Sequence, residues 1–141
     1  MIKHLCRLAT ALIPLLSVAS PLAAADFYTV TPCRLFDSRM THIVDNNDAQ
    51  TVQVGGACAI PVTATAAAFN VTVIPGRPGY VTLYPSGEQA PATSTVNFSL
   101  SQTRSNNAVV ALGANGAITV LLISGSFGQA HIIVDVNGYF Q

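Results

Sequence analysis

Half of the charged side chains that follow residue 25 stand beside alternating apolar segments: Arg34, Asp37, Arg39, Arg104 and Asp135. Guanidinium forks and carboxylates in such places support one of two chemistries. Gathered together and open to solvent, the arginines would grip a ligand carboxylate or sugar hydroxyls through paired N–H donors. Alternatively, Asp37 or Asp135 pairs with Arg104 or Arg39, pinning strand ends and closing the fold with no ligand involved. Under either account, removing one partner leaves the other uncompensated and disturbs folding.

Catalytic and metal-binding patterns are weaker. His42 and His131 are the histidines that remain after residue 25. No His, Cys or Asp set has metal-ligand spacing once Cys33 and Cys58 are bridged, so neither a metal nor a cofactor is expected. His131 opens an apolar strand and reads as a packed structural residue. Ser124 to Gly128 (SGSFG) lacks the nucleophile-elbow pattern, with no helix after it. The expectation is therefore a chain without enzyme activity, a hydrolase built on an unfamiliar site being the least favoured alternative. Asp45-Asn46-Asn47-Asp48 offers oxygen ligands without EF-hand spacing and reads as a solvated turn. For sugar binding the chain has no Trp. Tyr80 and Tyr84, four apart on one predicted strand, would share a face as a platform for sugar rings, against the plainer reading of core packing with a bonded hydroxyl.

The elements that must carry these residues are strands. Phe27–Thr31, Thr51–Val54, Ala66–Ile74, Tyr80–Tyr84, Ser94–Phe98, Asn107–Leu112, Ala117–Ile123 and His131–Val136 are rich in β-branched, aromatic and alternating residues. Pro75-Gly76 and Pro78-Gly79 predict a hairpin between the third and fourth of these, and Asn115-Gly116 a turn between the sixth and seventh. Val120–Ile123 and Ile132–Val134 are continuously apolar, as strands covered on both faces are. Short strands punctuated by turn signals every ten or so residues predict an all-β antiparallel sandwich, jelly-roll or immunoglobulin-like, of seven to nine strands. No repeat or linker divides residues 26–141.

Residues 1–25 read as a secretory signal peptide. Lys3 and Arg7 precede an apolar run, and Pro21 and Ala23-Ala24-Ala25 form a small-residue cleavage site. The run is too short for a membrane anchor and is broken by Pro14. Cys6 lies inside this leader, which leaves Cys33 and Cys58 in an oxidising space, outside the cell or in a periplasm. The even count there implies either a disulfide, stabilising by roughly 3 kcal/mol, or two separate buried thiols. After the leader, four arginines stand against six acids, with no lysine. Such a chain has no basic stripe for nucleic acid and no amphipathic basic helix for a membrane surface. Its weak charge also leaves little repulsion between copies.

Seven ordered blocks carry a resemblance: Thr31–Arg39 (TPCRLFDSR), Gly56–Pro61 (GACAIP), Phe69–Val73 (FNVTV), Gly79–Pro85 (GYVTLYP), Ser94–Phe98 (STVNF), Gln102–Asn107 (QTRSNN) and Asp135–Phe140 (DVNGYF). Together they resemble a widespread bacterial extracellular β-module that occurs singly, in tandem arrays and as tails of larger secreted proteins. The resemblance implies a non-catalytic β domain and a bond between Cys33 and Cys58. Where this chain has Asp37-Ser38-Arg39 the family pattern reads Asp-Thr-Arg, which keeps the hydroxyl. The function expected is a secreted structural or interaction module that associates with itself or with surface polymers through strand edges and a low-charge face. A carbohydrate-binding module using Tyr80 and Tyr84 is the alternative.

Overall fold

Strict alternation shapes the central strands. In β4 (Ala66–Pro75) Ala67, Phe69, Val71 and Val73 are buried, while Ala66, Ala68, Asn70 and Thr72 between them face outward. A strand built this way can cover only one side of a core, so a second sheet must cover the other. The computed structural model describes residues 24–141. The leader assigned to residues 1–25 therefore lies outside the described residues, apart from Ala24 and Ala25.

The remaining strands are β1 (Phe27–Asp37), β2 (Val44–Asp45), β3 (Ala49–Gln53), β5 (Gly79–Pro85), β6 (Val96–Phe98), β7 (Arg104–Ala111), β8 (Ala117–Ser124) and β9 (Gln129–Phe140). A single 3-10 turn, Ser38–Met40, follows β1. One sheet runs β1-β9-β4-β7, with β2 attached to β9, and the other runs β3-β8-β5-β6. All pairings are antiparallel, and four of them nest: β1 with β9, β3 with β8, β4 with β7, β5 with β6. A long hairpin rolled up in this order is a jelly roll, so the fold is an all-β antiparallel sandwich of that kind.

Between the sheets lie Phe69, Val71 and Val73 of β4, Val81 and Leu83 of β5, Ile118, Val120 and Leu122 of β8, and Ile132, Val134 and Val136 of β9. Each such fully buried side chain contributes roughly 1.5–3 kcal/mol relative to exposure. The two continuously apolar runs occupy the positions expected of them: β8 lies between β3 and β5, and β9 between β1 and β4.

One expected connection is corrected, and a second proves to join different sheets. The Pro/Gly-rich segment after β4 is not a hairpin, because β4 and β5 belong to different sheets and the segment rounds the edge of the sandwich. Asn115-Gly116 does form a turn, with Gly116 at φ +72, but it likewise carries the chain from β7 in one sheet to β8 in the other. A strand–turn–strand pattern has the same local chemistry in both arrangements; long-range pairing alone separates them.

The two open sides of the sandwich are closed differently. Along β1 and β3, the disulfide Cys33–Cys58 ties β1 to the loop that follows β3. Along β6 and β7, the Asn106 side-chain amide donates to the Thr95 carbonyl at 2.8 Å. The ends of the domain also meet: Asp26 and Gln141 exchange backbone hydrogen bonds of 2.9 and 3.1 Å.

Candidate functional site

Three of the five singled-out charges lie in the stretch from β1 into the 3-10 turn, and a fourth on β9 beside it. Asp37 ends β1 and caps the turn, its Oδ1 accepting from the backbone N–H of Arg39 at 3.1 Å. Arg39 then folds back over the cap, donating through Nε to Oδ1 at 2.9 Å and through Nη2 to Oδ2 at 2.7 Å. Arg34 reaches the same carboxylate through Nη1 at 3.1 Å. On its other side Arg34 holds Asp135 with a fork, Nε to Oδ1 at 2.8 Å and Nη2 to Oδ2 at 3.3 Å. The pair is in register, Arg34 of β1 standing opposite Asp135 of β9. The result is a chain of alternating charge, Asp135–Arg34–Asp37–Arg39, with no net charge.

Its electrostatics follow from the contacts. The Arg39 side-chain hydrogen bonds hold the Asp37 carboxyl far below the usual carboxylate range; burial opposes this, and the Arg39 backbone N–H and the charges of both arginines add to it. Arg34 is held more firmly protonated, chiefly by its bond to Asp135, and Arg39 by its bond to Asp37. With its side chain 8% exposed, Asp37 is the hub, and the arginines are its half-exposed cover.

Arg104 does not join. It lies at the far edge of the sheet on β7, opposite Val73, whose side chain faces the core. That register places Arg104 on the inward side, whereas Asp135 shares the outward side with Asn70. Its surroundings are Thr95, Asn97, Gln102 and Asn106, along the β6–β7 opening.

The tyrosine platform is also corrected. Tyr84 is only 9% exposed and Tyr80 is 37% exposed, so the two do not present paired rings. The connection between β5 and β6 folds back here, with the Thr82 hydroxyl donating to the Thr93 carbonyl at 2.7 Å. Other aromatics are more exposed than Tyr80: Phe127, and also Phe27 and Tyr28, each of these two packed on a partner from β9, Phe27 on Phe140 at 4.9 Å and Tyr28 on Tyr139 at 5.2 Å between ring centroids.

Ser38 is a residue that sequence reasoning passed over. Its hydroxyl oxygen accepts from the buried backbone N–H of Ile132 at 2.8 Å and lies 3.3 Å from His131 Nδ1. The spacing resembles a Ser–His pair, but Ser38 is buried, so a substrate has no path to the oxygen. The contact instead fastens the 3-10 turn to β9, which accounts for a hydroxyl residue between Asp37 and Arg39. The Asp45–Asp48 loop is likewise tied internally. Asp45 accepts from Gln129, Asp48 from Gln50, and Asn46 from the Ser124 backbone N–H at 2.7 Å. Among the described residues no group of three His, Cys, Asp or Glu side chains is placed to hold a metal ion.

The outward side of the β1-β9-β4-β7 sheet carries the remaining geometry of interest. Arg34, Asp135, Asn70 and Asn107 stand side by side on four successive strands. Next to this row is Asn137, where the register slips: Ala68 pairs with Gly138 and Phe69 with Val136, and Asn137 is skipped. The same residue is skipped on the β1 side, between Thr29–Gly138 and Cys33–Val136. Two open hollows meet at Asn137, one of about 510 Å³ reaching Phe27 and Val109, the other of about 410 Å³ reaching Arg34 and Asp135. No protein-family model and no curated protein matches this chain.

Proposed function

We propose that the chain is an exported, non-catalytic structural module that associates with copies of itself by strand addition along β7. The carrying observation is the contrast between the two edges of one sheet. The β1 edge is interrupted by two register shifts and by Pro32, and it is stapled by Cys33–Cys58. Strand β7 pairs with β4 in unbroken register from Arg104 to Ala111, contains no proline, and has a single charge, Arg104, at one end. Natural sheets blunt their edges with charges, prolines and bulges, and an edge that lacks them is a template for another strand. Two copies meeting edge to edge about a two-fold axis would extend the sheet and close the assembly.

Export is supported by the disulfide, which persists in oxidising compartments, and by the composition of residues 1–25. The absence of catalysis is inferred from the same geometry: the charged cluster is satisfied internally, and the Ser38–His131 contact is closed to substrate.

Light scattering on the purified chain, disulfide intact, over a concentration series tests the association. Growth from monomer to dimer is expected, and Val109→Lys, a charge on the exposed middle of the edge, is expected to abolish it. A strict monomer throughout the series overturns the proposal.

A further inference from the structure

We propose that the outward face of the β1-β9-β4-β7 sheet is a binding site for a neutral polysaccharide, centred on Asn137 and complete within a single copy.

The first support is the bulge. Asn137 lies in β9, an inner strand of the sheet, yet it is skipped by the ladders on both flanks and is exposed. Bulges at such places re-aim a side chain out of the pleat. Here the re-aimed amide stands where the two hollows join.

The second is the row beside it. Arg34, Asp135, Asn70 and Asn107 cross four adjacent strands, a row about 14 Å long at the ordinary spacing between strands. A carboxamide donates and accepts from one planar head, and a carboxylate and a guanidinium placed side by side do the same jointly. Adjacent sugar hydroxyls, each both donor and acceptor, are the complementary chemistry.

Charge selects among sugars. Arg34 is matched by Asp135 and Asp37, and Arg39 by Asp37, so the cluster presents no net field to an anion. A phosphate, sulfate or uronate would have to displace these carboxylates from their arginines, whereas a neutral glycan need displace none.

Phe27 supplies the apolar end. Its ring is 49% exposed and lies over Gly138, where an added Cβ would run into it. Wedged between Gly138 and Phe140, it offers a fixed flat surface for the C–H face of a sugar ring. The hollows are open on the sheet surface, which admits a passing polymer chain as readily as an end.

The test is retention of the full secreted chain on insoluble cellulose, chitin and β-1,3-glucan, with polygalacturonate as the acidic counterpart. Retention on at least one neutral polymer is expected, unchanged between low salt and 0.5 M salt, since no ion pairs with the ligand form. Asn70→Ala with Asn137→Ala, neither of them on β7 itself, is expected to weaken retention roughly ten-fold or more with the melting temperature preserved. Asn137→Ala alone, at an exposed bulge, serves the same purpose if the double variant folds poorly. No retention on any neutral polymer, retention confined to polygalacturonate, or retention indifferent to these substitutions overturns the proposal. Because the amides changed are not on β7, failure here leaves the light-scattering result standing, and the converse holds as well.

Discussion

At the scale of single residues, Asp37 and Ser38 do neighbouring but different work. Asp37 is held charged by two arginines, so its folded-state pKa lies below the unfolded value of about 3.9. A carboxyl depressed in this way adds stability that is fully present above the unfolded value and is lost as pH falls from there toward the folded value. Thermal melts from pH 7 down to pH 2 should therefore show a loss beginning below about pH 4 that is smaller in Asp37→Asn. Above about pH 5 the two proteins should differ by a constant amount. Ser38 acts through its lone pairs. Ser38→Ala leaves the buried Ile132 N–H without an acceptor and is expected to cost about 1–3 kcal/mol by urea unfolding. Ser38→Thr, which keeps the hydroxyl, is expected to cost less. That Arg34, Asp37, Arg39 and Asp135 stand beside strands was readable in the sequence, and the structure pairs these four. The exclusion of Arg104 was not, because a sequence does not show on which side of a sheet a residue three strands away will lie.

At the scale of elements, strands were legible and their pairing was not. The alternation in Ala66–Ile74 and the apolar runs in β8 and β9 follow from periodicity, which is local. Whether Pro75–Gly79 turns back within a sheet or crosses to another depends on partners dozens of residues away. The two-residue β2 is too short for any pattern, and the bulge at Asn137 appears only once both neighbours of β9 are aligned. For Tyr84 the sequence left a surface platform open beside the plainer reading of core packing, and its 9% exposure agrees with the plainer one. Cys33–Cys58 holds the β1 edge against the β3 side, so replacing both cysteines with serine is expected to lower stability by about 3 kcal/mol in denaturant unfolding under otherwise equal conditions.

At the scale of the whole molecule, the proposed association and the proposed glycan site share a border along β7. Pairing two copies at that edge would set their outward faces side by side and lengthen the available surface. Dilution below the association midpoint should then weaken retention on a long polymer more than on short oligosaccharides, because linked sites hold an extended ligand by their joint effective concentration. Comparing retention with oligosaccharide titration at matched protein concentrations checks this.

The meeting of Asp26 with Gln141 has a mechanical consequence. Tension applied to the two ends acts on neighbouring antiparallel strands at the same end, so it opens the β1–β9 ladder one rung at a time instead of shearing all rungs together. Opening reaches Cys33 early, and there the load passes through sulfur to Cys58, bypassing a stretch with a sequence separation of 25. Single-molecule stretching should thus release a contour shorter by roughly 80–90 Å in the oxidised protein than in the reduced one. A module tethered in this way begins to yield at low force, and its covalent bridge withholds one fixed length from the travel.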